Sequence, residues 1–449
     1  METKFFHSVT LDRDACRGCI NCIKRCPTEA IRVRGGKAKI LSDRCIDCGE
    51  CIRVCPHHAK KPIFDHMDLM EGFRYKIALP APALYGQFNN LDDIDIVLNA
   101  LLKLGFDGVF EVARAAELVS DATRKLMSEG HLCRPVISSA CPAVTRLIRV
   151  RFPDLLDKVL PLLAPAEIAA RLAKKEACER WGCTPQEVGA FFISPCPAKV
   201  TAVKMPLGTQ RSAIDGVLAI SDLYPKMISA MKEVAAGSPQ ELVSVGRMGV
   251  SWGSSGGEAY ALLNDRYLAA DGIENVIQVL EDLEDEKYSD LDFVELNACS
   301  AGCVGGVLTV ENPYIAKAKL KRVRKYLPVS CNRIGDAIPP YAKFDTALEY
   351  APVLELDPDI PTAMQKLSEL EEIAKQFPGI DCGACGAPSC RALAEDVVRG
   401  YATQDDCIFR LKTHMQEIAA SIAKLEGHIP QSFRTGEGGL HSIKKGDST

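Results

Sequence analysis

The sequence contains little histidine: eight in 449 residues, of which only His131 lies between residues 67 and 413. It has no run of 18 uncharged apolar residues, which argues against a membrane-spanning helix. The net charge of -5 is too small to indicate a nucleic-acid-binding protein or an acidic tail. The first residues lack the basic and then apolar pattern of a secretory signal, so we expect a cytoplasmic protein.

Glycine-rich phosphate-binding motifs are missing as well. Neither GxGxxG after a predicted strand nor GxxxxGK occurs, so the sequence predicts no dinucleotide or nucleotide site. Any electrons should therefore arrive through a protein carrier and not directly from NAD(P)H.

Cysteine, by contrast, is abundant, with 20 residues in a chain long enough for two to four domains. A disulfide framework does not suit so long a chain with no export signal, whose cysteines cluster at ligand spacing. Because histidine is scarce, the metal chemistry should be thiolate chemistry, which favours iron–sulfur clusters over haem or zinc.

The first eight cysteines form an internal repeat. CRGCINCIKRCP recurs as CIDCGECIRVCP 29 residues later, and both copies have the C-x2-C-x2-C-x3-C-P spacing of bacterial two-cluster ferredoxins. In such runs three thiolates bind one cubane and the fourth binds the other. The spacing therefore predicts two [4Fe–4S] sites, one with Cys16, Cys19, Cys22 and Cys55, the other with Cys45, Cys48, Cys51 and Cys26. Zinc knuckles are the alternative, although zinc sites rarely interleave two such runs.

The charge of this segment suggests a partner. Residues 1–66 contain 13 Lys and Arg against 8 Asp and Glu, whereas the rest of the chain is acidic. A basic module favours docking of an acidic electron carrier such as a ferredoxin. A mixed solvated surface without a partner is the alternative interpretation.

The last four cysteines form another set. CGACGAPSC is followed 17 residues later by Cys407, and its glycines would let the backbone approach a cluster. We predict one further [4Fe–4S] site, formed by Cys382, Cys385, Cys390 and Cys407. Zinc is the alternative, for which this spacing is unusual.

The middle of the chain alternates short apolar runs with helical patterns. Residues 76–83, 134–140, 189–195, 243–251 and 292–298 read as buried strands, with amphipathic helices between them. This alternation predicts an α/β domain with mostly parallel sheets. Several of these runs end in cysteine-bearing turns, so the cysteines should lie at the carboxyl ends of strands, where open α/β sheets bind ligands.

Three of these turns resemble the signatures of the [FeFe]-hydrogenase catalytic domain. They are SSACPAV (138–144), SPCPAK (194–199) and ELNACSAGCVGG (295–306). Similarity extends to APAL (81–84), FDGVF (106–110), FPDLL (152–156) and APAEIAARL (164–172), and it covers about residues 73–345. With ferredoxin motifs before it and one cluster motif after it, the layout is similar to the divergent branch of the family to which a sensory role is ascribed. No PAS-type sensor insert is present.

The resemblance implies a six-iron H-cluster between two lobes of this domain. Cys141, Cys196, Cys299 and Cys303 would bind its [4Fe–4S] part, and Cys303 would also bridge to a diiron unit that carries CO, cyanide and a dithiolate amine. Lys199 matches the family lysine that hydrogen-bonds a cyanide. The diiron unit would require hydrogenase maturation proteins.

The sequence also departs from the family pattern. Ala140 stands where the usual proton-relay cysteine would be, and Ser194 and Asn297 replace two methionines. Glu117 matches an outer relay carboxylate, but Arg114 occupies the place of its partner acid. We therefore expect slow turnover, or protons that arrive by another route.

Two acids are candidates for such a route. Glu295 adjoins the third signature, and Glu258 lies in the glycine-rich SSGGEAY turn. A purely structural role is the alternative for each. Four further cysteines lie outside the signatures and should pack in the core: Cys133, Cys178, Cys183 and Cys331. For Cys133, which lies just before the strand of the first signature, a proton-relay role is the alternative.

The expected organisation has five parts: a 2[4Fe–4S] ferredoxin-like domain (1–66), the H-cluster domain (73–345), a linker (346–378), a [4Fe–4S] domain (379–412) and a helix with a flexible tail (413–449). The terminal helix carries an apolar stripe at heptad spacing, formed by Leu411, Met415, Ile418, Ile422 and Leu425. We expect this stripe to dock on its own chain, and a homodimer is the alternative.

The resemblance implies an anaerobic-type hydrogenase that interconverts H2 with protons and electrons and exchanges those electrons with a ferredoxin-like carrier. One alternative is an H2 sensor with the same cofactor, which the missing relay cysteine favours. The other is a hydrogenase-like Fe–S assembly scaffold without a diiron unit, against which the retained Lys199 argues. Nucleic-acid and membrane partners are not expected.

Overall fold

The computed structural model of the protein describes residues 6–427. The predicted flexible tail, residues 428–449, lies outside the described residues. Two compact units make up the chain, Met1–Glu355 and Leu356–Thr449. Among the described residues, every helix is too short or too polar to cross a bilayer.

The N-terminal part is a small antiparallel domain built around the cysteine repeat. Strand β1 (Val9–Leu11) pairs with β4 (Lys60–Pro62), and β2 (Ile31–Arg34) pairs with β3 (Lys37–Ile40). The short helices α1 (Asn21–Lys24) and α2 (Glu50–Arg53) each carry cysteines of one motif.

The two copies of the repeat fold alike. The amide of Ala30 donates to Sγ of Cys26 at 3.2 Å, and the amide of Ala59 donates to Sγ of Cys55 at 3.3 Å. The proline after each of these cysteines turns the chain away in both copies. The same local sequence thus produces the same thiol-binding turn twice.

The rest of the first unit contains two parallel sheets. The first has the order β6-β5-β8-β9 and the second the order β10-β11-β7. Their strands are β5 (Tyr75–Pro80), β6 (Gly108–Val109), β7 (Val136–Ile137), β8 (Val188–Ser194), β9 (Gly216–Ala219), β10 (Tyr267–Asp271) and β11 (Phe293–Asn297). Strand β8 is buried along its whole length, as a central parallel strand requires. The predicted α/β class with mostly parallel sheets and two lobes is confirmed.

Helices cover both sheets of the first unit. They are α3 (Ile94–Lys103), α4 (Val112–Glu129), α5 (Pro142–Arg151), α6 (Pro165–Trp181), α7 (Pro197–Lys204), α8 (Ile220–Ala235), α9 (Arg247–Ser251), α10 (Gly257–Ala261), α11 (Ile273–Glu284) and α12 (Pro313–Val323).

One predicted strand is wrong. Residues 243–251 form an irregular segment followed by α9, because side-chain carboxylates and not a neighbouring strand bind the backbone. The amide of Val243 donates to Asp95 at 2.9 Å, and that of Ser244 donates to Glu111 at 2.9 Å. Conversely, the sequence prediction missed β6, β9 and β10, which all lie at the edges of their sheets.

The second unit begins earlier than the sequence predicts. It contains α13 (Ile360–Lys375), α14 (Cys390–Val398) and α15 (Ile408–Gly427). Leu370 and Ile373 of α13 and the following Phe377 pack in one apolar cluster with Leu393 of α14 and Cys407. The expected linker 346–378 is therefore only partly a linker. Its second half, α13, belongs to the C-terminal unit, because the helix buries its apolar face there.

Helix α15 presents the predicted apolar stripe to solvent. Leu411, Met415, Ile418, Ile422 and Leu425 are between 41% and 69% exposed. The structure therefore does not show the expected docking of this stripe on its own chain.

Candidate metal centres and active-site cavity

Four cysteines lie at the carboxyl ends of strands in both sheets. Cys141 follows β7 and immediately precedes α5, and Cys196 follows β8 and precedes α7. Cys299 follows β11, and Cys303 begins the 3-10 turn Cys303–Gly305. A proline in the first turn of α5 and of α7 starts each helix directly after its cysteine. The fold thus places these four residues on facing loops, as the sequence predicted for strand ends.

The four thiols lie close enough to influence one another. Burial raises the pKa of Cys196 to about 11, and the thiols of Cys303 and Cys141 oppose its ionisation further. Burial likewise raises the pKa of Cys299, where Cys196 and Cys141 add to the effect. Four half-buried thiols that interact electrostatically are a donor set that suits a soft metal cluster, because a bound metal would stabilise the thiolates.

Lys199 is the cation beside these thiols. Its Nζ lies 4.0 Å from Sγ of Cys303. Burial by itself would lower the pKa of Lys199, but the surrounding thiols, Cys303 first, raise it above its ordinary value. The lysine therefore keeps its charge in this pocket, as the binding of an anionic ligand there would require.

A cavity of about 610 Å³ opens between the two lobes next to Cys303. Its polar lining comes from Lys199, Glu258, Glu295 and Asn297. Most of the remaining lining is apolar or glycine: Ala81, Pro82, Ala83, Val112, Ala116, Ala140, Ala164, Pro165, Ala166, Phe192, Pro195, Trp252 and Gly253. A largely apolar cavity with a few convergent polar groups is typical of a cofactor or substrate site.

Glu258 is the most perturbed acid of this cavity. Burial raises its pKa to about 8, and the neighbouring Glu295 raises it further, whereas Ser138 and Lys199 oppose the shift. The Ser138 hydroxyl donates to Oε2 of Glu258 at 2.6 Å. Glu258 can therefore hold or release a proton near neutral pH.

Glu295 is held more rigidly than Glu258. It accepts from the amides of Gly256 at 3.0 Å and Ala259 at 2.9 Å, and from Nδ2 of Asn297 at 2.8 Å. Burial raises the pKa of Glu295, while these three donors lower it. The structure thus brings both candidate acids to the cavity, but only Glu258 lacks backbone donors among its hydrogen bonds.

The structure does not place Glu117 on the cavity. Its carboxylate accepts from the amides of Gly246, Cys331 and Asn332 at 2.9–3.0 Å and from the Asn332 side chain at 2.7 Å. Arg114, in the place of the second acid, forms a two-pronged ion pair with Glu176 instead. The Glu117 contacts tie α4 to two irregular segments, and the Arg114 ion pair ties it to α6.

The substituted positions 140 and 194 have different consequences. Ala140 lines the 610 Å³ cavity and also a second cavity of about 660 Å³. Lys199 and Phe192 line both cavities as well. Ser194 is fully buried and fixes the cysteine turn, because its hydroxyl donates to the carbonyl of Cys196 at 3.1 Å. The small alanine thus lies on the wall of both cavities.

The N-terminal thiols form two groups. Cys16, Cys19, Cys22 and Cys55 line a cavity of about 300 Å³, which we call the outer site. Cys26, Cys45, Cys48 and Cys51 interact with one another electrostatically, and we call them the inner site. The structure therefore brings the thiols together in the two interleaved sets that the repeat predicts.

The inner site adjoins the four thiols between the lobes. Burial raises the pKa of Cys48 well above its ordinary value, and Cys51, Cys26 and Cys299 add to this shift. Cys48 and Cys299 are thus electrostatic neighbours across two domains. The order from the cavity to the N-terminal domain is therefore the Cys299 set, the inner site and the outer site.

Polar contacts hold the N-terminal domain on the two-lobed domain. The Ser8 hydroxyl donates to the carbonyl of Pro197 at 2.7 Å, and the Thr201 hydroxyl donates to Oδ2 of Asp47 at 2.9 Å. Arg53 donates to the carbonyl of Gly305 at 2.7 Å. Two of these contacts reach α7, the helix that carries Lys199.

Three of the four C-terminal thiols share one apolar cluster. Cys385, Cys390 and Cys407 pack with Leu393 of α14, while Cys382 is exposed on the preceding loop. The amide of Cys390 is fixed by the Asp381 carboxylate at 2.6 Å. Among the remaining cysteines, Cys133 and Cys331 are exposed, so the expectation of core packing is wrong for both.

Sequence reasoning missed three residues of the site. Ser138 orients Glu258, Trp252 lines the cavity, and Asp47 lies beside the inner site. Sequence signals could have pointed to two of them. Ser138 is a hydroxyl directly at a strand end, and Asp47 stands where the first copy of the repeat has Gly18.

Family models match each of the three cysteine-containing parts of the chain. The model described as the iron only hydrogenase large subunit, C-terminal domain, matches residues 74–269 and 263–307, which together span just over half of the chain. A 4Fe-4S dicluster domain matches residues 8–56, and an Fe-S cluster model matches residues 377–409.

Individual relatives match parts of the chain. The NADP-reducing hydrogenase subunit HndD of Solidesulfovibrio fructosivorans is 26% identical over 208 residues, 42% of this chain and 35% of that protein. A component of the ion-translocating oxidoreductase complex of Rhodobacter capsulatus is 53% identical over 38 residues, 8% of this chain and 20% of that protein. A solved variant of [FeFe]-hydrogenase HydA1 from Chlamydomonas reinhardtii is 17% identical with a TM-score of 0.42, covering 55% of this chain and 83% of that one.

This chain spans about a third or less of the length of the first two of these relatives. The family model covers all four strand-end cysteines and Lys199, and the Fe–S models cover the two other cysteine blocks. The chain therefore belongs to the family of iron-only hydrogenase large subunits, with Fe–S domains on both sides of the family domain.

Proposed function

We propose that this protein is an [FeFe]-hydrogenase, which interconverts H2 with two protons and two electrons. The observation that carries the proposal is the largely apolar cavity in which Nζ of Lys199 lies 4.0 Å from Sγ of Cys303, beside the four strand-end thiols. A plain electron carrier would need the thiols but not the adjoining cavity with its cation and two acids.

The residues of the cavity fit an H-cluster. Cys141, Cys196, Cys299 and Cys303 would hold its [4Fe–4S] part, and Cys303, which alone among them begins a turn facing both Lys199 and the cavity, would also bridge to the diiron unit. Lys199 would donate to an anionic ligand of that unit. When bound, the cofactor supplies the hydride chemistry, and the protein supplies its position and a low dielectric.

Protons would travel through Glu258 instead of the missing relay cysteine. Glu258 has a pKa of about 8, lines the cavity and receives a hydrogen bond from Ser138. Glu295 is the second candidate on the same wall. Glu117, buried among four N–H donors outside the cavity, would act by positioning the segments around Gly246 and Asn332 and not by carrying protons.

Electrons would pass between the cavity and the surface through the N-terminal clusters. The inner site adjoins Cys299, and the outer site lies farther along the same domain. A ferredoxin or similar acidic carrier would exchange electrons at this basic domain. The C-terminal site with Cys382, Cys385, Cys390 and Cys407 would hold a further [4Fe–4S] cluster.

A second candidate function is that of an H2 sensor. Ala140 lies on the cavity wall where the family's relay cysteine would be, and a slow site suits detection better than turnover. A scaffold without a diiron unit is the third candidate, against which the buried cation at Lys199 argues. A homodimer through the exposed stripe of α15 would suit a sensor.

Infrared spectroscopy tests the proposal directly. The full-length chain would be reconstituted with iron and sulfide, supplied with a synthetic diiron cofactor, and measured with and without H2. Sharp CO and cyanide bands that shift under H2 would support a hydrogen-reactive site, and turnover assays would then separate enzyme from sensor. Fully loaded cubanes without protein-bound bands would contradict the hydrogenase and leave the scaffold.

A further inference from the structure

A buried lysine that the proposed hydrogen chemistry does not use lies in the outer site. Lys60 is 2% exposed, and its Nζ has no hydrogen-bond acceptor among residues 6–427. It lines the same cavity as the thiols of Cys16, Cys19, Cys22 and Cys55. An ammonium without an acceptor in a protein interior is costly, so the position points to a negatively charged occupant of this cavity.

The internal repeat shows that the fold itself does not require this lysine. At the 29-residue offset of the repeat, Lys60 corresponds to Ile31, which is also 2% exposed. Each is the first residue of its strand, Ile31 in β2 and Lys60 in β4. One half of the domain thus has an apolar side chain where the other half has a cation.

A second pair of equivalent positions in the repeat differs by a negative charge, not a positive one. Gly18 in the first copy corresponds to Asp47 in the second, and both have a left-handed backbone. Asp47 is buried beside the inner site, where its carboxylate raises the pKa of both Cys45 and Cys51. The repeat therefore carries an added cation at the outer site and an added anion at the inner site.

We propose that Lys60 makes the outer cluster the more easily reduced of the two N-terminal clusters. A [4Fe–4S] cluster becomes more negative when it accepts an electron, so a buried ammonium next to it stabilises the reduced state. Of the two N-terminal clusters, an electron released at the catalytic cavity would then come to rest on the one farther from it. This inference rests on the proposed function only in assuming that both sites bind [4Fe–4S] clusters.

The neighbouring thiols are consistent with the placement of the charge. Burial raises the pKa of Cys22, and Lys60 is the foremost group that opposes this shift. The pKa of Cys55 is lowered, since the amides of Lys60 and Ala59 outweigh its burial. Lys60 is likewise the foremost group that opposes the raised pKa of Cys51 in the inner site. Because it acts on one inner thiol but on two outer thiols, Cys22 and Cys55, a smaller effect on the inner cluster is expected.

The chain offers a matched control in the next residue. Lys61 has the same side chain, but it is exposed because β4 alternates its faces. Lys60→Ile copies the residue of the equivalent position in the first half, and Lys60→Met keeps the length of the side chain. Both should therefore fold, and both remove only the buried charge.

The test is a redox titration of the full-length chain with its cubanes reconstituted, followed by EPR. The outer signal is identified as the one that Cys19→Ser removes. In Lys60→Ile and Lys60→Met we expect the equilibrium constant for one-electron reduction of the outer cluster to fall at least tenfold, about 59 mV, with a smaller change at the inner cluster. Lys61→Met should titrate like the unaltered chain.

Three results would overturn the inference: unchanged potentials in both Lys60 variants, an equal or larger shift at the inner cluster, or loss of the outer cluster from both variants, which would make Lys60 a structural residue. Iron and sulfide analysis of each variant separates these cases. No diiron unit is needed, so the inference can fail while the proposed function stands. If the unaltered chain binds no N-terminal clusters, the proposed cofactor set fails as well.

Discussion

The hydroxyl of Ser138 donates a 2.6 Å hydrogen bond to Oε2 of Glu258 inside the cavity that contains Cys303. The same oxygen of Ser138 accepts from the amide of Ala140 at 3.2 Å, so its single proton is directed at the carboxylate. Ala140 occupies the position where the family's usual relay cysteine would be. The backbone of the altered position thus orients the serine that contacts the candidate replacement acid.

Replacing Glu258 should slow hydrogen turnover. In Glu258→Gln the side chain keeps its size and its contact with Ser138 but loses the titrating proton, and we expect H2 production to fall about 100-fold or more. Glu284→Gln on α11, where the acid is exposed, should leave the rate unchanged. Unchanged rates in both Glu258→Gln and Glu295→Gln would remove both acids from the proton route.

Glu258 should also make folding stability depend on pH. Its pKa is about 8 in the folded protein against an ordinary value of 4.5, so between these values the folded state holds a proton that the unfolded chain has released. This contribution to stability is fully present below pH 4.5 and is lost as the pH rises toward about 8.

The measurement compares denaturation of the chain with its cubanes and of Glu258→Gln across this pH range. The free energy of unfolding of the unaltered chain, relative to that of Glu258→Gln, should fall steadily as the pH rises and level off above about pH 8. A difference that stays constant over the range would show that Glu258 does not keep its proton on folding.

Lys199 should control retention of the diiron unit. Lys199→Met fills the same space without a donor, and the loss of a charge-assisted hydrogen bond is worth about 1.5–3 kcal/mol. We expect at least a tenfold lower occupancy in the infrared bands at limiting cofactor, with the cubane content unchanged. Lys204→Met, at the end of the same helix α7, is the matched control; equal occupancy in both variants would argue against a contact between Lys199 and the cofactor.

Glu117 should affect stability more than proton transfer. Its carboxylate accepts four hydrogen bonds from the segments around Gly246 and Asn332, and Glu117→Gln weakens several of them. We expect a loss of about 2 kcal/mol in the free energy of unfolding, whereas Glu129→Gln at the exposed end of α4 should cost little. A large fall in turnover at unchanged stability would instead restore Glu117 to the proton route.

The parts that the sequence predicted well are those where chemistry is encoded locally. Cysteine spacing identified the thiol sets, and apolar runs located β5, β8 and β11, because strands buried in a parallel sheet are mostly apolar. The failures have physical causes too. The segment 243–251 has strand-like residues, but Asp95 and Glu111 satisfy its backbone, and neither acid is close to it in the sequence.

The amino-acid sequence by itself determined the family, the two parallel lobes and the grouping of cysteines, since these depend on residue type and short spacing. Only the tertiary structure decided the effects of residues that are distant in the sequence. It buries Glu258 beside Glu295, which raises the pKa of Glu258, and it buries Lys60 beside the outer thiols. It also places Glu117 outside the cavity, where backbone amides and Asn332 bind its carboxylate. The burial of a side chain and the charges around it depend on residues far apart in the chain, so no local sequence pattern predicts them.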